Sequence, residues 1–127
     1  MIKKTVLIAP ALTLAALAAL LPAGSPASAA GPDGAALFRQ RCGSCHTVVR
    51  GGPAVLGPNL AGIVSRKSAS TTFNYSPALK AANLTWTRAN LDRFLTGPAR
   101  MVPGTRMVIA VSDPQQRAAI LDYLARP

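Results

Sequence analysis

Two cysteines and one histidine are the residues of this sequence with the clearest capacity for chemistry. Cys42 and Cys45 are its only cysteines, and His46, its only histidine, follows directly. Two thiols three positions apart can lie on one turn of backbone and add to two vinyl groups on one side of a porphyrin, and the next residue can present a nitrogen to the iron. The pattern predicts covalent attachment of one c-type haem, with His46 as an axial iron ligand.

Three other interpretations of these residues are weaker. A structural zinc site needs about four nitrogen or sulfur ligands, and the three residues here are too few. A thioredoxin-like pair of cysteines belongs to an alternating strand–helix pattern, which the sequence lacks. A disulfide between Cys42 and Cys45 would close too short a loop to stabilise the fold much, and would leave His46 unexplained.

The first 29 residues have the composition of an export signal. Lys3 and Lys4 give a positive start, and an apolar run follows from Val6 to Leu21. Ala27-Ser28-Ala29 then supplies a small-x-small cleavage pattern, which predicts a signal peptide over residues 1–29 and cleavage after Ala29. The alternative is an uncleaved anchor, because the run is only slightly shorter than a membrane span. Either way the rest is exported, and the expected location in a bacterium is the periplasm.

The remaining chain, residues 30–127, has the size of one small domain and a basic composition. Of the 14 lysines and arginines of the sequence, removal of Lys3 and Lys4 leaves 12 against four aspartates, a net charge of +8. Export argues against nucleic acid as the anionic partner, and the absence of a basic block argues against lipid. The charge therefore favours an acidic protein surface, with plain solubility as the alternative.

Capping residues and periodicity predict an all-α fold of about four short helices and long loops. The segments from Thr47 to Arg66 and from Ala99 to Ser112 contain glycine and proline turn signals without periodicity, and are predicted as loops. Serine, threonine or aspartate caps precede each predicted helix. The predicted helices run from Asp33 to about His46, from Ser76 to Ala82, from Thr87 to Gly97-Pro98, and from Asp113 through Leu124.

A methionine is the natural ligand for the far side of the iron, since no second histidine exists. With Met1 removed, the candidates are Met101 and Met107. Met107 follows Pro103-Gly104-Thr105, whose turn would fix the approach of the backbone. Met101 lies only three residues beyond Pro98. Either methionine could instead be a flexible core residue.

Taken together, these segments resemble a class I cytochrome c, and the resemblance covers the chain from about Gly34 to Leu124. The haem attachment motif alone occurs in many haem proteins, but its combination with a proline-glycine-threonine-x-methionine segment is highly specific. The matching segments are Cys42-x-x-Cys45-His46, Gly57-Pro58-Asn59-Leu60-x-Gly62-x-x-x-Arg66, Phe73-x-Tyr75, Trp86-Thr87, Leu91-x-x-Phe94-Leu95, Pro103-Gly104-Thr105-x-Met107, Arg117 and Tyr123-Leu124.

The resemblance implies a cytochrome c fold wrapped around the haem and a role for each matching residue. Met107 would be the distal iron ligand and Thr105 part of its binding segment. The Pro58 carbonyl would accept the second ring N–H of His46. Tyr75 and Trp86 would donate hydrogen bonds to a haem propionate whose charge Arg66 would help to neutralise. Where the first and last helices cross, Gly34 and Phe38 would pack against Ile120 and Tyr123.

The sequence also departs from the family pattern. Ser65 stands where a glycine often precedes the arginine, and Phe94 stands at a position that is commonly tyrosine. A hydroxyl near the methionine sulfur would then be missing. These departures leave the expected ligands intact and affect the expected strength of the iron–sulfur bond.

The function implied is a periplasmic one-electron carrier that is not an enzyme, has no small-molecule substrate and acts as a monomer. Its partners would be acidic surfaces of a reductase, oxidase or dehydrogenase, steered by exposed cations. Two alternatives remain open: a subunit permanently docked to a periplasmic dehydrogenase, and a haem peroxidase or ligand-binding haem protein. The candidate steering cations are Arg39, Arg41, Lys80, Arg100 and Arg106.

Overall fold

The computed structural model describes residues 30–126, which form an all-α fold of five short helices joined by long loops. The predicted signal peptide, residues 1–29, lies outside the described residues. Within 30–126, no helix is long and apolar enough to cross a bilayer. The helices are α1 (Gly34–Arg41), α2 (Pro77–Ala81), α3 (Arg88–Thr96), α4 (Pro98–Met101) and α5 (Pro114–Leu124).

The four predicted helices begin where their capping residues indicate. The Asp33 carboxylate accepts a hydrogen bond from Ala35 N at 2.9 Å. Ser76 and Thr87 cap α2 and α3 in the same way, by accepting from the backbone N–H three residues on. Asp113 accepts from two N–H groups at the start of α5, whose first residue is a proline. These caps satisfy N–H groups that have no partner inside the helix.

The prediction for the end of α1 was wrong. It was expected to reach His46, whereas the helix ends at Arg41 and a turn covers residues 42–45. Both Cys42 N and Gly43 N donate to the Phe38 carbonyl, at 2.8 and 2.9 Å, and His46 N donates to the Cys42 carbonyl at 2.9 Å. The shared acceptor tightens the last turn of the helix, so the two cysteines lie on a compact turn of their own.

The segment after α3 was also predicted incorrectly, as entirely non-helical. Gly97 has an extended backbone and ends α3, as predicted, but Pro98 then occupies the first position of the short helix α4. A proline cannot continue a helix, yet its fixed φ suits the first turn of a new one. The Gly97-Pro98 pair therefore marks both the end of α3 and the start of α4.

Helices α1 and α5, from opposite ends of the described chain, cross at close range. A Cβ atom at Gly34 would collide with the Ala119 carbonyl group and lie 3.1 Å from Tyr123 Cβ. The rings of Phe38 and Tyr123 pack with their centroids 5.5 Å apart. Because Gly34 has no side chain, the two backbones can approach, and Phe38 and Ile120 become almost completely buried.

Arg117 ties the start of α5 to α3 and to the loop between them. Its Nε donates to Asp92 Oδ1 at 2.8 Å, and its side chain is only 11% exposed. Its Nη1 also donates to the carbonyls of Val111 and Ser112. The guanidinium therefore has three partners, which compensate for its loss of hydration.

A strained backbone segment precedes Trp86. Ser65 and Ala69 both adopt positive φ angles, 68° and 52°. Ser65 N donates to the Trp86 carbonyl and Trp86 N donates to the Arg66 carbonyl, next to an isolated bridge between Lys67 and Thr85. These pairings place the indole against the core although no regular strand forms there.

Replacing Gly34 with alanine should destabilise the haem-loaded protein by about 2 kcal/mol, because the added methyl group pushes α1 away from α5. Guanidinium unfolding measures the change. Gly31→Ala is the matched control, since a Cβ at that position meets nothing within 4 Å. Equal stabilities of the two variants would show that the helices do not cross this closely.

Replacing Ser65 with glycine should stabilise the protein by about 1 kcal/mol, because glycine adopts a left-handed backbone without a steric cost. The N–H that pairs with Trp86 is retained. Ser112→Gly, at a serine without a positive φ, should instead lower the free energy of unfolding by about 0.5 kcal/mol. A loss of stability in Ser65→Gly would contradict the strained conformation.

Candidate haem-binding site

One cavity of about 260 Å³ brings together residues from both ends of the fold. Cys42, Cys45 and His46, from the turn that follows α1, lie in its wall. Thr105 and Met107, from the segment after α4, lie in the same wall. The other predicted site residues, Pro58, Arg66, Tyr75 and Trp86, also line it.

The imidazole of His46 is fixed by the loop that covers it. Its Nδ1 lies 2.8 Å from the Pro58 carbonyl oxygen, which can only accept, so Nδ1 carries the proton. The lone pair of Nε2 is then free for a metal ion, and the hydrogen bond orients the ring. This is the contact that the resemblance implied.

Gly57 provides the space for that imidazole. A Cβ atom at Gly57 would collide with His46 Cε1 and lie 2.8 Å from Nδ1. Gly57 N also donates to the Cys45 carbonyl at 2.8 Å, which joins the loop to the cysteine turn. The glycine was noted in the sequence as part of a turn, but its role as a platform for His46 was not predicted.

Asn59 stabilises the same loop through three hydrogen bonds of its side chain. Its Nδ2 donates to the carbonyls of Val49 and Gly52, at 2.7 and 2.9 Å, and its Oδ1 accepts from Ala61 N at 2.7 Å. One amide side chain thus adds three hydrogen bonds to the few that the backbone of this glycine- and proline-containing loop makes. The matching segment of the resemblance contained Asn59, but gave it no role.

The Cys42 thiol is half-buried. Burial raises the pKa of that thiol, the neighbouring Arg41 guanidinium opposes the increase, and Cys45 adds to it. Before the thioether forms, Cys42 therefore carries its proton at neutral pH. The wall contains a histidine nitrogen and a methionine sulfur, which suit haem iron as ligands. It also contains two cysteine sulfurs that can form thioether bonds to the porphyrin.

Arg66 lines the cavity, and its guanidinium also forms hydrogen bonds with the loop that contains Asn59. Its Nη1 donates to the Ala61 carbonyl and its Nη2 to the Asn59 carbonyl, both at 3.0 Å. Sequence analysis assigned Arg66 only a role toward a propionate. The structure adds that Arg66 fixes the segment between Asn59 and Ile63, which itself forms part of the wall.

Tyr75 and Trp86 are buried aromatic residues in the wall, each 6% exposed. The Tyr75 hydroxyl pairs with Thr71 Oγ1 at 2.7 Å. Among the described residues, the indole N–H of Trp86 has no hydrogen-bond partner. Every completely enclosed side-chain nitrogen or oxygen in the same residues does have a partner. The indole N–H therefore borders open space. A donor without a protein acceptor in this wall fits an acidic group of a bound cofactor.

The two candidate methionines lie in different places. Met107 lines the same cavity as His46, and its N lies 3.4 Å from Thr105 Oγ1. Met101 is half-buried and borders a separate, shallow surface groove beside Ala82 and Leu84. In the part of the chain that the structure describes, Met107 is thus the methionine that shares a wall with His46.

The remainder of the wall is mostly apolar. Phe94 is buried and packs against Trp86, with ring centroids 5.0 Å apart. Among residues 30–126, no cluster of three or more histidine, cysteine or acidic residues could bind a metal ion directly. This mostly apolar wall, with His46 as its histidine, fits an apolar group that supplies most of the iron ligands itself. Other apolar residues of the wall are Leu60, Ile63, Leu91, Leu95, Val111, Ile120 and Leu124.

Only two of the five candidate steering cations line the cavity. These are Arg41 and Arg106; Arg106 also donates to the Asn74 carbonyl at 2.8 Å. Lys67 lines the cavity as well and was not predicted, because nothing in the sequence indicated its bridge to Thr85. Arg39, Lys80 and Arg100 are not part of this wall.

Comparison with known proteins gives consistent matches. The sequence model of the Cytochrome c family matches residues 32–126. Cytochrome c of Theileria annulata is 41% identical over 106 residues, which cover 83% of this chain and 88% of the relative. A cytochrome c homolog of Bradyrhizobium diazoefficiens is 37% identical over 113 residues, which cover 87% of this chain and 61% of that relative.

A solved structure agrees with this assignment. Cytochrome cH from Methylobacterium extorquens superimposes with a TM-score of 0.67 and 35% sequence identity, over 73% of this chain and 97% of that one. The match confirms the predicted cytochrome c fold. With its haem attachment motif in the wall of the cavity, the chain belongs to the cytochrome c family, whose members bind one covalent haem c and carry electrons to and from redox partners.

Proposed function

We propose that this protein is a periplasmic one-electron carrier whose haem iron is ligated by His46 and Met107. The observation that carries the proposal is the wall shared by the cysteine turn, His46 and Met107, with Met101 located elsewhere. The export signal that the sequence predicts over residues 1–29 supports the location. Haem c, when bound, supplies an iron that changes by one electron between the ferrous and ferric states.

Several residues of the chain would hold the haem, each by a different interaction. Cys42 and Cys45 would form the two thioether bonds. The Pro58 hydrogen bond keeps the His46 ring oriented, and Thr105 supports the backbone of Met107. Two protein ligands would complete the coordination of the iron and leave no position for a substrate, which favours a carrier over an enzyme. No second histidine exists in the sequence to act as a distal base.

The wall also offers groups for the acidic edge of the cofactor. The Trp86 indole N–H borders open space without a protein acceptor and would donate to a propionate. Tyr75 would donate if its hydrogen bond with Thr71 leaves the hydroxyl proton free, since a hydroxyl both donates and accepts. Arg66 supplies positive charge beside them while its own N–H groups hold the loop.

Cations near the cavity would steer an acidic partner toward it. Arg41 and Arg106 are exposed, Lys67 lies in the same wall, and none of these three forms a salt bridge with another described residue. The field of unpaired charges of one sign raises the rate of encounter with an opposite charge. The partners proposed are therefore redox proteins with acidic docking surfaces, met one at a time by a monomer.

Replacing Met107 with alanine should abolish the far-red absorption band that iron–methionine charge transfer gives in the oxidised protein. The potential should also fall by roughly 0.1 V or more, since axial ligands tune haem potentials over about 0.8 V. A redox titration with optical spectra measures both. Met101→Ala is the control, and should keep the band and the potential because Met101 lies outside the cavity wall. A band lost in Met101→Ala and kept in Met107→Ala would reverse the ligand assignment.

Replacing Arg41 with glutamine should slow oxidation of the reduced protein by ferricyanide, a trianion, because the positive field at the cavity is weakened. We expect a decrease of roughly twofold at low salt and none at high salt, where the charges are screened. Stopped-flow absorbance gives the rates. Arg126→Gln removes the same charge at the end of the described chain and should have the smaller effect. Equal rates for both variants, or a wild-type rate that does not depend on salt, would contradict steering.

A further inference from the structure

One pair of hydroxyl groups connects the cavity wall with the surface. Tyr75 is 6% exposed and lines the cavity, whereas Thr71 is exposed and is not part of the wall. The two hydroxyl oxygens lie 2.7 Å apart, a normal distance for a hydrogen bond between hydroxyl groups. Each hydroxyl has one proton, so only one of the two donates across this contact. The direction of the bond decides whether the Tyr75 proton is available to the cavity.

The position of the Tyr75 ring is fixed by other contacts. Tyr75 N donates to the Phe73 carbonyl at 2.9 Å, and the two rings pack edge to face with centroids 5.1 Å apart. Arg106 donates to the Asn74 carbonyl between them at 2.8 Å. Because these contacts hold the backbone and the ring, the Thr71 hydroxyl has its main effect on the Tyr75 proton.

Thr71 Oγ1 also accepts a hydrogen bond. Phe73 N lies 3.3 Å from it, and a backbone N–H can only donate. One lone pair of Oγ1 is then occupied, and its proton remains for the Tyr75 oxygen. Donation in that direction forms a chain from Phe73 N–H to Thr71 and from Thr71 O–H to Tyr75, which leaves the Tyr75 proton for an acceptor in the cavity. Hydrogen bonds that follow one direction polarise and strengthen one another.

We propose that Thr71 is a positioning residue that donates to Tyr75 and thereby directs the Tyr75 proton to an acidic group of the haem. The inference rests on the proposed haem-binding function and adds a residue that lies outside the cavity wall. A carboxylate is a stronger acceptor than a neutral hydroxyl, so the Tyr75 proton goes to the carboxylate and the Tyr75 oxygen accepts from Thr71. Thr71 thus strengthens a bond that stabilises the ionised form of the acid.

The opposite direction leaves the site less well satisfied. If Tyr75 donated to Thr71, the Tyr75 oxygen would offer the cavity only lone pairs. Those lone pairs would face a carboxylate, and two acceptors without a proton between them repel each other. The Thr71 proton would meanwhile be used by water.

The loop that carries Thr71 is held by its other hydroxyl groups. Ser70 Oγ donates to the Lys67 carbonyl at 2.7 Å. Ser68 Oγ accepts from Leu84 N at 3.0 Å. These two bonds give the exposed loop a defined backbone, so removal of the Thr71 hydroxyl alone should leave the loop in place.

The test measures the reduction potential of the haem-loaded protein as a function of pH. An acidic group near the iron lowers the potential when it loses its proton, because its negative charge stabilises ferric iron. No aspartate among residues 30–126 lines the cavity, and His46 would be bound to the iron, so the acid that titrates there in the neutral and acidic range belongs to the haem. The charged residues of the wall, which the variants leave unchanged, are Arg41, Arg66, Lys67 and Arg106.

The first variant, Thr71→Val, keeps the shape of the side chain and removes its hydroxyl. The acid should become roughly two- to threefold weaker, so the potential should fall at a higher pH than in the wild type. Thr71→Ser retains a hydroxyl and should keep the wild-type profile. Thr72→Val is the matched control, because Thr72 is exposed and its hydroxyl has no partner within residues 30–126. Its profile should also match the wild type.

The second variant, Tyr75→Phe, keeps the ring and removes the phenol. The acid should become roughly five- to tenfold weaker, because its donor is lost. Thr71→Val added to Tyr75→Phe should cause no further change, since Thr71 acts only through the Tyr75 hydroxyl.

Three outcomes would overturn the inference. A wild-type profile in Thr71→Val would leave Thr71 with a role in the loop only. A shift to lower pH would show that Tyr75 donates to Thr71, since the variant would then free the Tyr75 proton for the acid. An equal shift by Thr71→Val with and without the Tyr75 hydroxyl would show that Thr71 acts by another route. The electron carrier is tested separately by the same titrations, because a reversible one-electron couple persists in every variant whichever way this bond points.

Discussion

The close crossing of α1 and α5 is the constraint on which the rest of the structure depends. Gly34 lets the α1 backbone lie against Ala119, and that contact joins the two ends of the domain. Helix α1 leads directly into the cysteine turn, and α5 contributes Ile120 and Leu124 to the cavity wall. In a chain this small, an apolar core alone is marginal, so a covalent cofactor at its centre adds much of what holds the fold together.

Side-chain hydrogen bonds add to scattered backbone hydrogen bonds in giving the long loops their shape. Asn59 bridges carbonyl groups across one loop, Arg66 donates to carbonyls of the next segment, and Arg106, beside Met107, donates to the Asn74 carbonyl. Each interaction fixes backbone that carries or adjoins an expected iron ligand. A rigid set of loops suits electron transfer, since small structural differences between oxidation states reduce the rearrangement that accompanies each electron.

The sequence was informative where the physical cause is local. Caps such as Asp33 and Asp113 bond to N–H groups two or three residues away, so the helix starts could be predicted. The end of α1 could not, because it depends on two N–H groups sharing the Phe38 carbonyl. The cavity wall was predicted largely through the resemblance. The second role of Arg66 was missed because its acceptors, carbonyls five and seven residues away, carry no side-chain signature.

The distribution of charge follows from how the fold uses its few carboxylates. Asp33 and Asp113 occupy cap positions, where a short acceptor is needed beside the helix start. Asp92 and Asp122 balance Arg117 and Arg88, each pair joining α3 to α5. These structural needs draw every described carboxylate to the helices. The loops around the cavity therefore contain cations and aliphatic residues, and none of the described carboxylates lines the cavity.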